Sequence, residues 1–134
     1  MNTTPCTILY ADDDSDDRLL WSESITMNGL HADMVYVANG QEAISYIQTT
    51  AANLPSLVIL DLNMPKMNGK ETLHYLKAHP YYQTIPVIIL STSDNQSERE
   101  FCTAAGALSY FVKPQSMSGY YPIVKACMPY VGGA

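Results

Sequence analysis

The sequence predicts a doubly wound α/β domain: a five-stranded parallel sheet with helices on both faces. Three observations predict it. Apolar β-type runs alternate with amphipathic helical stretches along all 134 residues, the pattern of a parallel sheet crossed by helices. Two runs, Leu57 to Leu60 and Pro86 to Leu90, are apolar throughout, as strands covered on both faces are. Polar residues then stand at the strand ends: Asp12-Asp13, Asp61, Ser91-Thr92 and Lys113-Pro114. Open α/β sheets place their sites at that edge.

The elements follow in order. The first strand is about Thr7 to Ala11. A helix from about Ser15 to Asn28 follows, with Asp14 as N-cap and Gly29 as its stop. Asp16 and Asp17 read as favourable charge in its first turn. The second strand is about Asp33 to Val37. Asn39 and Glu42 form an expected capping box for a helix with Ala43, Ile44 and Ile47 on one face. The third strand ends at Asp61. A loop with Pro65 and Gly69 leads to a helix carrying Leu73 and Leu76, which stops near His79 because Pro80 disfavours helix before it. After the fourth strand, Ser97 to Glu100 is read as a capping box opening a helix that ends near Gly106. The fifth strand is Leu108 to Val112. The last helix includes Ile123 to Tyr130, with Pro122 suited to its first turn and Pro129 disturbing its last.

The whole of 1–134 is expected to be one domain, with a core of about 6–131. Net charge is −6, which argues against nucleic acid or an anionic membrane surface as main partner. Cys6, Cys102 and Cys127 are an odd number without CxxC spacing, and are expected to be reduced. No basic region followed by an apolar core opens the chain, and no run approaches a membrane span. The expected location is cytoplasmic, without membrane insertion.

The strand ends carry the chemistry. Asp12, Asp13 and Asp61 would meet at one edge, and clustered carboxylates repel one another unless a cation neutralises them. Mg²⁺ suits such oxygen donors, with Mn²⁺ as an alternative, and the Asn63 carbonyl would add a neutral ligand. Asp61 can attack phosphorus and hold an acyl phosphate. Lys113 and the Ser91 hydroxyl can balance and bind phosphate oxygens, which is most of what phosphoryl transfer needs.

Asp12-Asp13 after the first strand, Asp61 with Met64-Pro65 and Gly69, Ser91 after the fourth strand and Lys113-Pro114 after the fifth together resemble a response-regulator receiver domain of the chemotaxis type, the phosphoacceptor of two-component signalling. The resemblance covers nearly the whole chain. It implies the flavodoxin-like fold with strand order 2-1-3-4-5, one of the two common doubly wound orders. It implies Asp61 as phosphoacceptor, with Asp12, Asp13, Asp61 and Asn63 around the metal. It makes Lys113 the bridge to the phosphoryl group, Ser91 and Tyr110 the switch pair, and Thr92, Ser93 and Pro114 the phosphate's neighbours. Pro114 would follow a cis peptide. Asn63 and Ser93 stand where the family tunes the lifetime of its aspartyl phosphate, and neither is an obvious general base, so slow to moderate self-hydrolysis is expected.

The implied function is a single-domain response regulator. It accepts a phosphoryl group from a sensor histidine kinase or a histidine phosphotransfer protein, and it is not a turnover enzyme. Output is expected through a downstream protein, or a homodimer, on the face of the fourth helix, fifth strand and fifth helix. Three rivals are weighed. An aspartyl-phosphate phosphatase of the haloacid-dehalogenase type expects a second Asp where Asn63 stands. A flavin module needs a phosphate loop where Asp12-Asp13-Asp14 would repel one. A degenerate receiver acting as a phosphorylation-independent binding module fits poorly with intact Asp12, Asp13, Asp61 and Lys113.

Overall fold

The computed structural model describes residues 6–50 and 52–131. Residues 1–5 and 132–134, the ends of the expected 1–134 domain, lie outside the described residues. Five parallel strands form one sheet in the order β2-β1-β3-β4-β5: β1 Thr7–Ala11, β2 Asp33–Val37, β3 Leu57–Leu60, β4 Val87–Ser91 and β5 Ser109–Val112. The helices are α1 Ser15–Met27, α2 Gly40–Thr49, α3 Gly69–Ala78, α4 Gln96–Ala104 and α5 Tyr121–Val131. The doubly wound class and the strand order are those expected from the sequence.

Strand side chains alternate between faces, and each face buries a separate core. Leu9, Val58, Leu60, Val87 and Ile89 pack with Ala43, Ile47, Leu73, Leu76 and Cys102 of α2, α3 and α4. Ile8, Tyr10, Leu57, Ile59, Ile88 and Leu90 pack with Trp21 and Ile25 of α1 and Ile123, Val124 and Cys127 of α5. The central strands β1, β3 and β4 are therefore apolar on both sides, and their polar residues appear only where the chain leaves the sheet. The three cysteines are free. No helix among the described residues is long and apolar enough to cross a membrane.

Helix ends are set by side-chain caps. Asp14 accepts from the backbone N–H groups of Asp16 and Asp17 at 2.9 and 3.2 Å, as expected. Gly29 has φ +70°, which ends α1 where a side chain would be strained. Asn39 caps α2 through the Glu42 N–H at 2.9 Å, but Glu42 Oε1 accepts from Ala38 rather than from Asn39. The reciprocal box belongs instead to Asn68 and Glu71, opening α3.

Two further expectations, the start of α4 and the peptide bond before Pro114, are corrected. α4 begins at Gln96, because Asn95, not Ser97, accepts the Glu98 N–H at 3.1 Å. Pro122 lies in the first turn of α5, as expected, and a 3₁₀ turn at Met117–Tyr120 precedes that helix. All peptide bonds among the described residues are trans, including that before Pro114. The trans form is intrinsically lower by about 0.5–1 kcal/mol, and Lys113 reaches its partners with it.

Candidate metal and phosphoryl site

β1 and β3 are hydrogen-bonded neighbours, with Ala11 opposite Leu60, so the residues that follow each strand leave the sheet side by side. Asp12 and Asp61 are buried, whereas Asp13 is exposed. Carboxylate oxygens of the three lie within 4.8 Å of one another. Asp61 is fixed from behind. The Gly69 Cα packs so close that a Cβ there would lie 2.3 Å from the Asp61 carbonyl oxygen. The Asn63 N–H donates to Asp61 Oδ1 at 3.2 Å, which keeps the Asn63 backbone against the carboxylate.

Lys113 enters from the end of β5 and is almost fully buried at its side chain. Its Nζ donates to Asp17 Oδ2 at 2.7 Å and to Asp61 Oδ2 at 3.2 Å. Asp12 Oδ2 lies 2.8 Å from the same nitrogen, yet accepts no aligned hydrogen bond. Burial acts to lower the pKa of Lys113; the carboxylates of Asp12, Asp17 and Asp61 more than reverse it, so the ammonium is held above its ordinary range. Burial pushes the Asp61 carboxyl up to about 6; Asp12 adds to the rise, while Lys113 and the Asn63 N–H oppose it.

The donor set fits a hard divalent cation. Its atoms are carboxylate oxygens, one of them buried without a hydrogen bond, and exposed Asp13 leaves room for the waters that Mg²⁺ retains. Asp61 Oδ2 and Lys113 Nζ are also a carboxylate and an ammonium in contact, the kind of pair that can supply a nucleophile and balance charge in phosphoryl transfer. An open cleft beside the pair is lined by Asp17, Leu20, Thr92, Val112, Lys113 and Pro114.

The expected switch residues lie around the same edge. Ser91 is fully buried at the end of β4, and its Oγ accepts from the Ser93 N–H at 3.2 Å. Its carbonyl accepts from the Lys113 N–H at 2.7 Å. Tyr110 is packed inward against the α2–α3–α4 core, and its hydroxyl donates to the Ser93 carbonyl at 2.8 Å. Arg99 lies over its ring, 4.8 Å from the centroid, and donates to its carbonyl. Thr92 is exposed, with its side chain at the cleft.

Sequence reasoning missed Asp17, which it read as helix-dipole charge. The structure pairs it with Lys113. The signal was helical spacing: Asp17 lies four residues before Trp21 and seven before Ser24, both buried, so it shares the inward face of α1.

The chain belongs to the response regulator receiver domain family, whose model matches residues 8–123. It is similar to the response regulator Rcp1 of Synechocystis sp., 26% identical over 125 residues that cover 90% of this chain and 85% of that protein. A crystal structure of the Mn²⁺-bound form of Rcp1 superposes with a TM-score of 0.82 at 25% identity, covering 94% of each chain. The phosphorylated cyanobacterial phytochrome response regulator RcpA superposes with a TM-score of 0.84 at 30% identity, covering 96% of this chain and 94% of that one. A response regulator in red light signaling of R. palustris gives 0.85 at 28% identity and covers 96% of each.

Proposed function

We propose that residues 1–134 act as one receiver unit that accepts a phosphoryl group on Asp61 in the presence of Mg²⁺ or Mn²⁺. The observation that carries this reading is the contact of Asp61 Oδ2 with Lys113 Nζ inside the three-carboxylate cluster. Asp61 Oδ attacks phosphorus, the phosphorus–nitrogen bond of a donor phosphohistidine breaks, and the histidine leaves with the bond's electron pair. Lys113 holds its ammonium beside the oxygens that gain charge. The cation, when bound by Asp12, Asp13, Asp61 and the Asn63 carbonyl, supplies further positive charge for those oxygens.

The donor is a sensor histidine kinase or a histidine phosphotransfer protein. The likeness to phytochrome and red light response regulators makes a phytochrome-class kinase the first donor to test. Ser91 and Tyr110 carry the change outward. The Ser91 hydroxyl turns toward the new phosphoryl group, and its bond to the Ser93 N–H, together with the Tyr110–Ser93 bond, links that turn to α4 and β5. Exposed Phe101, Val112 and Tyr121 stand on α4, β5 and α5, with exposed Leu108 just before β5, which suits a downstream protein or a homodimer there. The proposed location is the cytoplasm.

Incubation with acetyl phosphate and Mg²⁺, followed by intact-mass measurement, tests the reading. A gain of one phosphoryl mass is expected, absent without the cation and absent in Asp61→Asn. An adduct that persists in Asp61→Asn, or none in the parent protein, overturns it.

A further inference from the structure

Lys113 has three ammonium protons to donate and three carboxylates around it, which differ in what else they must do. Asp12 and Asp61 belong to the cluster that can hold a cation, and Asp61 also carries the nucleophilic oxygen; Asp17 is outside that cluster. Asp12 and Asp61 would share their oxygens with a cation held by the cluster, and its charge would oppose that of the ammonium. Phosphorylation of Asp61 turns its carboxylate into an acyl phosphate and moves the negative charge out to the phosphoryl oxygens. Two of the three contacts on Lys113 must therefore be remade as the site is loaded, whereas that with Asp17 need not change.

We propose that Asp17 is the positioning residue that anchors the Lys113 ammonium at the site through cation binding and phosphoryl transfer. Its contact is the shortest of the three, 2.7 Å, and is an aligned hydrogen bond, whereas that of Asp12 is not. Its backbone is itself held: the Asp17 N–H donates to the Asp14 side chain in the first turn of α1. Its side chain is only partly exposed, so the pair is less screened than a surface one. Asp16, in the same turn, is exposed and caps nothing. Without Asp17, the cleft lined by Thr92, Val112 and Gln115 is open to the Lys113 side chain, and the ammonium can leave through it. This role rests on the phosphoacceptor reading above for its use, though the anchoring itself does not depend on phosphorylation.

The test reads the Lys113 ammonium directly. In ¹⁵N-labelled protein with Mg²⁺, its side-chain N–H signal, assigned by its loss in Lys113→Arg, is expected to exchange slowly with water. Asp17→Asn should speed that exchange by about tenfold or more, the weight of one charge-assisted hydrogen bond. Asp17→Glu should recover part of the protection, and Asp16→Asn should leave it unchanged. With acetyl phosphate, the phosphorylation rate should fall by about tenfold in Asp17→Asn and stay near that of the parent in Asp16→Asn. A Lys113 ammonium that exchanges fast in the parent protein with Mg²⁺, or equally in Asp17→Asn and parent, overturns the anchor. So does an Asp16→Asn effect as large as that of Asp17→Asn, which would mark a general first-turn charge. A parent protein that takes no phosphoryl group overturns the function reading instead, and the exchange measurement still decides the anchor.

Discussion

The Tyr110 hydroxyl donates to the Ser93 carbonyl at 2.8 Å, and this one bond ties β5 to the loop that leads from Ser91 into α4. Removing it with Tyr110→Phe should keep the ring packed and free the loop. The expected loss of stability is about 0.5–1.5 kcal/mol. Amide exchange should quicken around Ser93 to Asn95 and stay unchanged in β1 and β3. Uniform quickening across the sheet would show that the bond does not act locally.

Asp61 sets a pH dependence. Its carboxyl is raised from 3.8 to about 6, by burial first. A raised carboxyl contributes stability that is fully present below its unfolded value and is lost as pH rises through the folded value. Between these values the unfolded chain ionises more readily than the folded one. Asp61→Asn should therefore be more stable than the parent by about 2 kcal/mol at neutral pH without divalent cation. The gain should fade as pH drops from about 6 to about 4. Thermal melts across that range check it, and a mutant less stable at neutral pH would reverse the sign.

Cation binding should show the opposite trend with acid. The ligands must be deprotonated to bind, so stabilisation by Mg²⁺ should be clear at neutral pH and fall as pH drops through about 6, where Asp61 takes its proton. Melts with and without Mg²⁺ at each pH measure it. A Mg²⁺ effect that persists unchanged well below that pH would place the cation elsewhere.

Lys113→Ala leaves Asp12 and Asp61 buried without their counter-charge. Breaking a buried pair from one side costs about 3–5 kcal/mol, and a divalent cation at the cluster should offset part of that. Urea unfolding should show a larger stabilisation by Mg²⁺ in the mutant than in the parent. An equal Mg²⁺ increment in both would argue against a shared cluster.

Gly69→Ala would set a Cβ 2.3 Å from the Asp61 carbonyl oxygen and 2.8 Å from the Leu62 Cα. Both are backbone atoms, which cannot rotate aside. The expected cost is about 1–3 kcal/mol, together with slower phosphorylation by acetyl phosphate, since the strain falls on the residue proposed as nucleophile. Urea unfolding and intact-mass time courses check the two effects.

Much of the architecture was legible because the sheet is buried on both faces. Apolar runs marked β1, β3 and β4, and the first polar residue after each marked the site edge; hence Asp12, Asp61 and Ser91 stood out. β2 was legible to the residue. The less visible parts depended on competition between nearby groups. Asn95 and Ser97 both suit an N-cap, and only the backbone path shows that Asn95 wins. Asn68 and Glu71 lie at capping-box spacing inside a stretch dominated by the Met64-Pro65 loop motif, which masked them. The trans Pro114 overturned an expectation that rested on resemblance alone. Asp17 was hidden by its neighbours: in a run of acid, charge alone does not reveal which carboxylate faces inward.

The aromatic packing beneath the site has one more consequence. Trp21, the chain's sole tryptophan, is fully buried and stacked on Tyr10 with ring centroids 5.5 Å apart. Tyr10 precedes Asp12 by two residues, and its phenol is raised by burial first and then by the Asp12 charge. The indole thus sits one ring away from the electric field of the carboxylates. Its emission is therefore expected to shift when the charge at Asp12 and Asp61 changes, which would make the unmodified chain its own label-free reporter of a cation added to it.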